Sequence, residues 1–561
     1  MSLSKKVSSK KSSFSNKNTN TKTNKTQKNT FSTVKTSRSP VCDTNMTYNE
    51  CELAILRIQA DKAKEKLDKR RVNSPEIKKI ISIVEQFIRN KKPIVYGGTA
   101  LNNILPEEDQ FYDKDLEIPD YDFFSPNALD DAKELADIFF ENGFQDCEAK
   151  SGMHHGTYKV FVNFIPVADI TYLTPEIFYA LKNETVEKDG IQYAPVNFLR
   201  MSIYLELSRP AGDVERWNKV YDRLQLLNKH YPFNSKNCSK VEFQRGLENM
   251  NMNINKDTKT TDLSNKIYSL TKDTFIKLGC VFFGGYAITQ YSQYMPQKLR
   301  KRVQKYADFD VLSHNSKQTA YKLKEVLNKN GINNVKIIRR EPVGEIIPLH
   351  YEVKVGIDTI AFVYEPIACH SYNVIEVENE ETGKEEKVKI ATIDTMLTFY
   401  LAFLYTGRPY YNEYIDRTLC MAAYLFEVQQ QNRLEQKGLL QRFSITCYGH
   451  QESVEEIKEK KAHKYLELKE KKGTREYEEW FLNYQPYKKY MDISETPSTP
   501  IKSQPQTQSL QTQTKGQGQL VKNMYTRKRN RKVKRVHNPY THKKFNLKRF
   551  MNKIKSKKES K

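Results

Sequence analysis

Asp120 and Asp122 stand two residues apart in Ile118-Pro119-Asp120-Tyr121-Asp122-Phe123-Phe124, a run that reads as a strand. Side chains alternate along a strand, so both carboxylates project from one face while Tyr121 points into a core. A third acid, Asp169, interrupts the apolar run Val167-Ala168-Asp169-Ile170-Thr171. A carboxylate buried without a partner is costly, which favours a metal or an ion pair there. Acids gathered in this way suit in-line displacement at phosphorus, where two hard cations about 3.5–4 Å apart bridge the attacking oxygen, the phosphate and the leaving oxygen. Asp120, Asp122 and Asp169 are therefore the expected catalytic residues and the ligands of two Mg²⁺ or Mn²⁺ ions. Gly97-Gly98-Thr99, between a short strand and a helix, supplies backbone N–H groups that can approach a triphosphate closely, with the Thr99 hydroxyl as a further donor. Each signal alone is common in unrelated proteins. Their order (strand, glycine pair, helix, Asp-x-Asp strand, Asp strand) is far more specific.

These residues need elements to hold them. A helix opens at Ser74 and Pro75, with Ile77, Ile80, Ile81, Val84, Phe87 and Ile88 at helical spacing. Strand Ile94-Val95-Tyr96, the glycine pair, a helix and an acidic stretch follow, then the Asp-x-Asp strand and a helix after Ser125 that stops at Asn142-Gly143. The same order recurs downstream: a helix around Ile267 and Leu270, strand Val281-Phe282-Phe283, Gly284-Gly285, strand Ala307-Asp308-Phe309-Asp310-Val311-Leu312, and a helix ending at Asn330-Gly331. Helices of both copies share an echo, Tyr221-Asp222-Arg223 and Ile415-Asp416-Arg417. The fold class this predicts is α/β (α+β), two tandem lobes of mixed sheets flanked by helices.

The repeat permits an internal comparison. Tyr158 to Tyr172 align without gaps on Tyr351 to Glu365, pairing Val160 with Val353, Ala168 with Ala361 and Asp169 with Phe362. Phenylalanine neither ligates a metal nor accepts a proton, so the second lobe is expected not to catalyse although it keeps Asp308 and Asp310. It would instead complete the cleft or form a dimer surface.

The chain carries a formal charge of +24, placed mostly at its ends. Residues 1–40 hold ten Lys and Arg and no acid; residues 522–561 hold seventeen against Glu559 alone, which leaves the middle near neutral at −2. The first forty residues are too poor in large apolar side chains to offset ordering entropy. Expected boundaries are a disordered basic tail at 1–45, a catalytic lobe at 46–245, a degenerate lobe with a helical end at 246–490, a flexible linker at 491–521 and a basic tail at 522–561. The tail interleaves Tyr525, Tyr540, Phe545 and Phe550 with its cations, which suits salt-sensitive, sequence-blind polyanion binding; a localisation signal or a merely solvated tail reads equally well. No apolar run reaches membrane-spanning length, and the N-terminal lysines are not followed by the apolar core of a signal peptide. The eight cysteines form neither a Cys-x-x-Cys pair nor a zinc cluster, so reduced thiols and a cytoplasmic location are expected.

Gly97-Gly98-Thr99-Ala100, Asp120-Tyr121-Asp122 and Asp169 resemble the glycine pair, Asp-x-Asp and third aspartate of the nucleotidyltransferase superfamily that includes DNA polymerase β and the poly(A) polymerases. With two lobes in tandem and the opening at Tyr96, residues 46 to about 490 are most similar to the poly(A) polymerase catalytic subunits of poxviruses and other large cytoplasmic DNA viruses, and among these to those of mimivirus-like giant viruses. The segment between Gly98 and Asp120, with Glu107, Glu108 and Asp109, is longer than that family usually shows and reads as an inserted loop. The resemblance implies addition of AMP from ATP to an RNA 3′ end, with Asp120 and Asp122 on both metals and Asp169 on the catalytic one, helping to deprotonate the 3′-hydroxyl. It also implies a location in host cytoplasm or virion.

Asn197 and Arg200, and Lys219, Tyr221 and Arg223 after Trp217, are candidate triphosphate or base contacts; surface or intrahelical pairing reads about as well for them. Since the poxvirus enzymes use a separate processivity subunit, the tails, the second lobe or a homodimer are expected to serve here. Two other functions stay open: another enzyme of the same fold, of oligoadenylate, CCA-adding or repair type, and a non-catalytic RNA-binding protein.

Overall fold

A computed structural model describes residues 41–43, 45–233, 238, 241, 243, 258–297, 308–379, 383–408 and 415–487. The C-terminal linker and tail of the sequence reading, and the first forty residues, lie outside them.

Sixteen strands among the described residues form two eight-stranded sheets. They are β1 (Ile94–Val95), β2 (Tyr121–Ser125), β3 (Cys147–Ser151), β4 (Thr157–Val162), β5 (Ile165–Tyr172), β6 (Val186–Lys188), β7 (Ile191–Tyr193), β8 (Val281–Phe282), β9 (Phe309–Leu312), β10 (Val335–Arg340), β11 (His350–Val355), β12 (Asp358–Tyr364), β13 (His370–Glu378), β14 (Glu385–Ala391), β15 (Cys447–Tyr448) and β16 (Asn483–Tyr484). The first sheet runs β16-β3-β4-β5-β2-β1-β7-β6 and the second β10-β11-β12-β9-β8-β14-β13-β15. Seven strands follow one order in both, as an internal repeat requires. The eighth is added at opposite edges: β15 joins β13 of its own sheet, whereas β16 crosses back to pair with β3 of the first. Both sheets belong to one compact unit.

Helices cover these mixed sheets. Pro75–Lys91 starts where Ser74 accepts the Ile77 N–H at 3.2 Å, and its buried Ile77, Ile80, Val84, Phe87 and Ile88 form one face. Ala128–Glu141 and its counterpart Ser316–Lys329 each end two residues before a glycine of positive φ, Gly143 and Gly331. The halves meet where helix Val196–Leu207 packs on helix Ile393–Phe403. No described helix is long and apolar enough to cross a membrane.

Cysteine behaves differently from the sequence expectation of reduced thiols. Disulfides join Cys42 to Cys51, Cys238 to Cys420 and Cys369 to Cys447, while Cys147 and Cys280 are free and buried. Two of these pairs bridge 182 and 78 residues of sequence, and no local spacing rule reveals such partners.

Candidate active site

Strand β2 begins at Tyr121, three residues later than the sequence suggests, because Ile118-Pro119-Asp120 approaches it outside the ladder. Tyr121 and Phe123 are buried on the helix-covered face, where the Tyr121 hydroxyl donates to Glu85 at 2.7 Å. Asp122 therefore lies on the opposite face, and Asp120 stands exposed just ahead of the strand. Parallel pairing with β5 sets Asp122 directly beside Asp169. Thr99, buried on the helix Gly97–Ile104, donates its hydroxyl to the Asp120 carbonyl at 2.6 Å. Its single proton fastens the approach to β2, so what Thr99 has left for a triphosphate is its backbone N–H.

Gly97 is required sterically as well as conformationally. Its φ is +71°, and a Cβ there would stand 2.7 Å from an Asp122 carboxylate oxygen. Beneath the acids, Tyr96 stacks on Phe124 at 3.8 Å between ring centroids and shares a 3.0 Å hydrogen bond with Thr171. Burial, with Asp122, Asp169 and Asp120 adding to it, pushes the Tyr96 phenol well above its ordinary value. The carboxylates repel one another in the same way. Asp122 is pushed up to about 7, chiefly by burial and then by Asp120 and Asp169. Asp120 is also raised, chiefly by partial loss of water around its carboxyl and then by Asp169.

The third carboxylate has a partner that sequence reasoning missed. Lys159 on β4 forms an ion pair with Asp169. The β4–β5 hairpin carries a bulge: Val162 pairs with Ile165 and Phe161 with Pro166, but Val160 pairs with Ala168, leaving Val167 over. Only this slip brings Lys159 opposite Asp169, and a simple hairpin count would have aligned it with Ala168. As placed, no group of three His, Cys, Asp or Glu side chains among the described residues converges closely enough to hold a metal ion. The donor set nonetheless suits a hard divalent cation: three carboxylates crowd one face, two of them with raised pKa, and only the third is neutralised by a lysine.

The other predicted nucleotide contacts separate. Arg200 is 1% exposed, its Nε donating to Asn228 at 2.9 Å and its other nitrogens to Asn197 and the Tyr231 carbonyl. Burial lowers the Arg200 pKa to about 10. The nucleotide contact expected of Asn197 and Arg200 is thus replaced by a buried network tying helix Val196–Leu207 to helix Trp217–His230. Lys219 is exposed, one helical turn before Arg223 and on the same face of the second helix. Arg216, another residue not anticipated, lies close enough to lower the Asp122 pKa.

In the second sheet β9 and β12 pair in the same register, and Phe362 takes the place of Asp169 beside Asp310. The hairpin bulge recurs, with Val353 opposite Ala361 and Glu352 opposite Phe362.

Residues 82–213 match the family model for the poly(A) polymerase catalytic subunit. An inferred poly(A) polymerase catalytic subunit of Acanthamoeba polyphaga mimivirus is 36% identical over 163 residues, 28% of this chain and 27% of that protein. One from African swine fever virus (strain Badajoz 1971 Vero-adapted) is 34% identical over 170 residues, 29% of this chain and 35% of that protein. The match thus spans about a third or less of these relatives. The crystal structure of the Megavirus polyadenylate synthase superposes with a TM-score of 0.63 over 82% of this chain and 90% of that one, at 23% identity, which establishes a common fold. The glycine pair and all three aspartates lie within the stretch that matches the family model of the poly(A) polymerase catalytic subunit.

Proposed function

We propose that the chain is a template-independent polynucleotide adenylyltransferase, in which the 3′-hydroxyl of RNA attacks the α-phosphorus of ATP, taking up AMP and releasing pyrophosphate. The observation that carries this reading is the pairing of Asp122 with Asp169 on adjacent parallel strands, against a glycine turn that a Cβ would close. Asp120, Asp122 and Asp169 would hold two Mg²⁺ or Mn²⁺ ions. Bound there, such ions supply charge neutralisation at the phosphate and a more acidic 3′-hydroxyl.

The residues of the chain have distinct parts in this scheme. Gly97 and Gly98 let phosphate oxygens reach backbone N–H groups at a helix start. Asp169, once released by Lys159, accepts the proton of the RNA 3′-hydroxyl, and Lys159 is then free to meet an RNA phosphate. Lys219 and Arg216 bring positive charge to the same side. Adenine selectivity rests on the family likeness alone. A homodimer working in host cytoplasm or virion completes the reading, and a monomeric mass in solution would count against the dimer.

The test incubates the full chain with an RNA primer, ATP and Mg²⁺ or Mn²⁺, beside Asp120→Ala, and repeats it with the other three nucleotides. Primer extension specific to ATP and lost in Asp120→Ala is expected. Binding of RNA without extension would instead favour a non-catalytic RNA-binding protein.

A further inference from the structure

The inserted segment that follows helix Gly97–Ile104 closes over the glycine turn, and its middle is tied down. Asn102 Oδ1 accepts the backbone N–H groups of Phe111 at 2.8 Å and Tyr112 at 2.9 Å, and Asp109 is held by Lys229 and His230. These contacts put the Tyr112 hydroxyl against Gly98, so close that a Cβ on Gly98 would collide with it. Arg223 Nη2 donates to this hydroxyl at 2.8 Å, and the guanidinium lies over the Phe111 ring, 4.7 Å from its centroid. Arg223 Nη1 would be 3.1 Å from the same Gly98 Cβ.

Three facts mark this point as a place for an anion. Arg223 is only 8% exposed, yet no carboxylate among the described residues stands within ion-pair distance of it. Glu206, an acid close enough for Arg223 to lower its pKa, pairs with Arg216 at 3.3 Å. The helix Gly97–Ile104 has Tyr96 as its N-cap and no side-chain cap, so N–H groups of its first turn lack the acceptor that Ser74 and Thr392 give other helices. Finally, the Tyr112 oxygen accepts from Arg223, which leaves its own proton to donate. A buried guanidinium, a phenol O–H and an uncapped helix start thus converge on one glycine.

We propose that Arg223 and Tyr112 form a phosphate cradle over Gly98, and that the inserted loop exists to bring Tyr112 there. Taking the anion to be the nucleotide triphosphate rests on the polymerase reading above; the anion site itself does not. Arg223 contacts the phosphates and Tyr112 both positions it and donates to the same group.

The experiment measures binding of inorganic tripolyphosphate to the full chain by calorimetry, without metal or RNA, at about 0.3 M salt so that the basic tails contribute little. Arg223→Lys, which keeps charge but loses the fork, should weaken binding roughly tenfold, and Arg223→Met by up to about a hundredfold. Tyr112→Phe should weaken it several-fold and raise the KM for ATP with little change in kcat. Melting curves show which variants are folded; if Arg223→Met is not, the Lys and Phe variants carry the test. Wild-type affinity for tripolyphosphate in Arg223→Lys and Tyr112→Phe, in a chain that extends primers, overturns the cradle and leaves the polymerase reading intact. Arg223-dependent tripolyphosphate binding in a chain that extends no primer does the reverse.

Discussion

In the N-terminal sheet Asp122 faces Asp169; in the C-terminal sheet the same register sets Asp310 beside Phe362. The backbones agree even to the hairpin bulge, so the two lobes differ in what is mounted on one frame. In the first lobe Lys159 neutralises Asp169, Thr171 bonds Tyr96, and Thr99 fastens the loop before Asp122. In the second, the position of Lys159 holds Glu352, which turns to Arg340 at 2.6 Å, and those of Tyr96 and Thr171 hold Phe283 and Tyr364, with ring centroids 5.3 Å apart. His350 stacks on Tyr364 at 4.5 Å. Even the glycine turn has changed, since Gly284 has φ −90° and its missing Cβ leaves room only for the Asp310 carboxylate. A charge-crowded face and an aromatic core are thus alternative fillings of the same sheet. The aromatic one removes the mutual repulsion that adds to burial in raising Asp122.

The widest separation between lobes should appear in turnover. Asp169→Asn keeps the size of the side chain but removes its charge, and is expected to lower kcat by about a thousandfold or more, in the range seen when electrostatic stabilisation of a transition state is lost. Asp310→Asn, at the equivalent of Asp122, should leave primer extension within about a factor of two. Steady-state extension assays on both variants settle the contrast. Comparable losses would mean that the second lobe also takes part in the chemistry.

Much of this contrast is legible in the sequence because its signals are local. Strand alternation places Asp122 opposite the buried Tyr121 and Phe123, although Asp120 falls just ahead of the ladder, and gap-free alignment of two strand pairs is enough to set Asp169 against Phe362. What escapes depends on long-range geometry. Lys159 reaches Asp169 only through the bulge at Val167, and Tyr112 reaches Arg223 across 111 residues. For Asn197 and Arg200, three apart on a helix, intrahelical pairing is readable, but not that Arg200 is buried and bonded to Asn228 and Tyr231 at the end of the next helix. Strand β16 falls within the segment assigned by sequence to the second lobe, yet its two residues pair with Lys150 and Ala149 of the first. A two-residue strand has too little pattern to announce its partner.

Proton uptake should distinguish the lobes more subtly. The folded pKa of Asp122, about 7, exceeds its ordinary value of 3.8, so ionising it costs more in the folded chain than in the unfolded one. Without metal, its contribution to stability is full below pH 3.8, falls as pH rises to about 7, and is constant above. Melting temperatures in chelator between pH 4 and 8 should therefore fall more steeply for the wild type than for Asp122→Asn, by a difference on the order of a few degrees. Mg²⁺ should erase that difference, whereas Asp310→Asn should track the wild type throughout. Parallel curves for wild type and Asp122→Asn would show that the carboxylates are not crowded as described.

Thr99 gives the smallest and most local break. Its partner in the repeat is Tyr286, a ring packed among Phe282 and Phe309, so the second lobe has exchanged a hydroxyl tether for aromatic contact. Thr99→Val preserves shape and removes only the 2.6 Å bond to the Asp120 carbonyl, at an expected stability cost of about 1 kcal/mol. Asp120 precedes the ladder and has little else in β2 to fix it, so the loss should fall on catalysis more than on folding. Displacing a catalytic carboxylate by a fraction of an ångström typically costs about tenfold or more in rate. The expected outcome is a kcat lowered about tenfold, with the KM for ATP almost unchanged and the melting temperature only slightly reduced. An unchanged kcat would show that Asp120 is held by the strand alone and that the tether is dispensable.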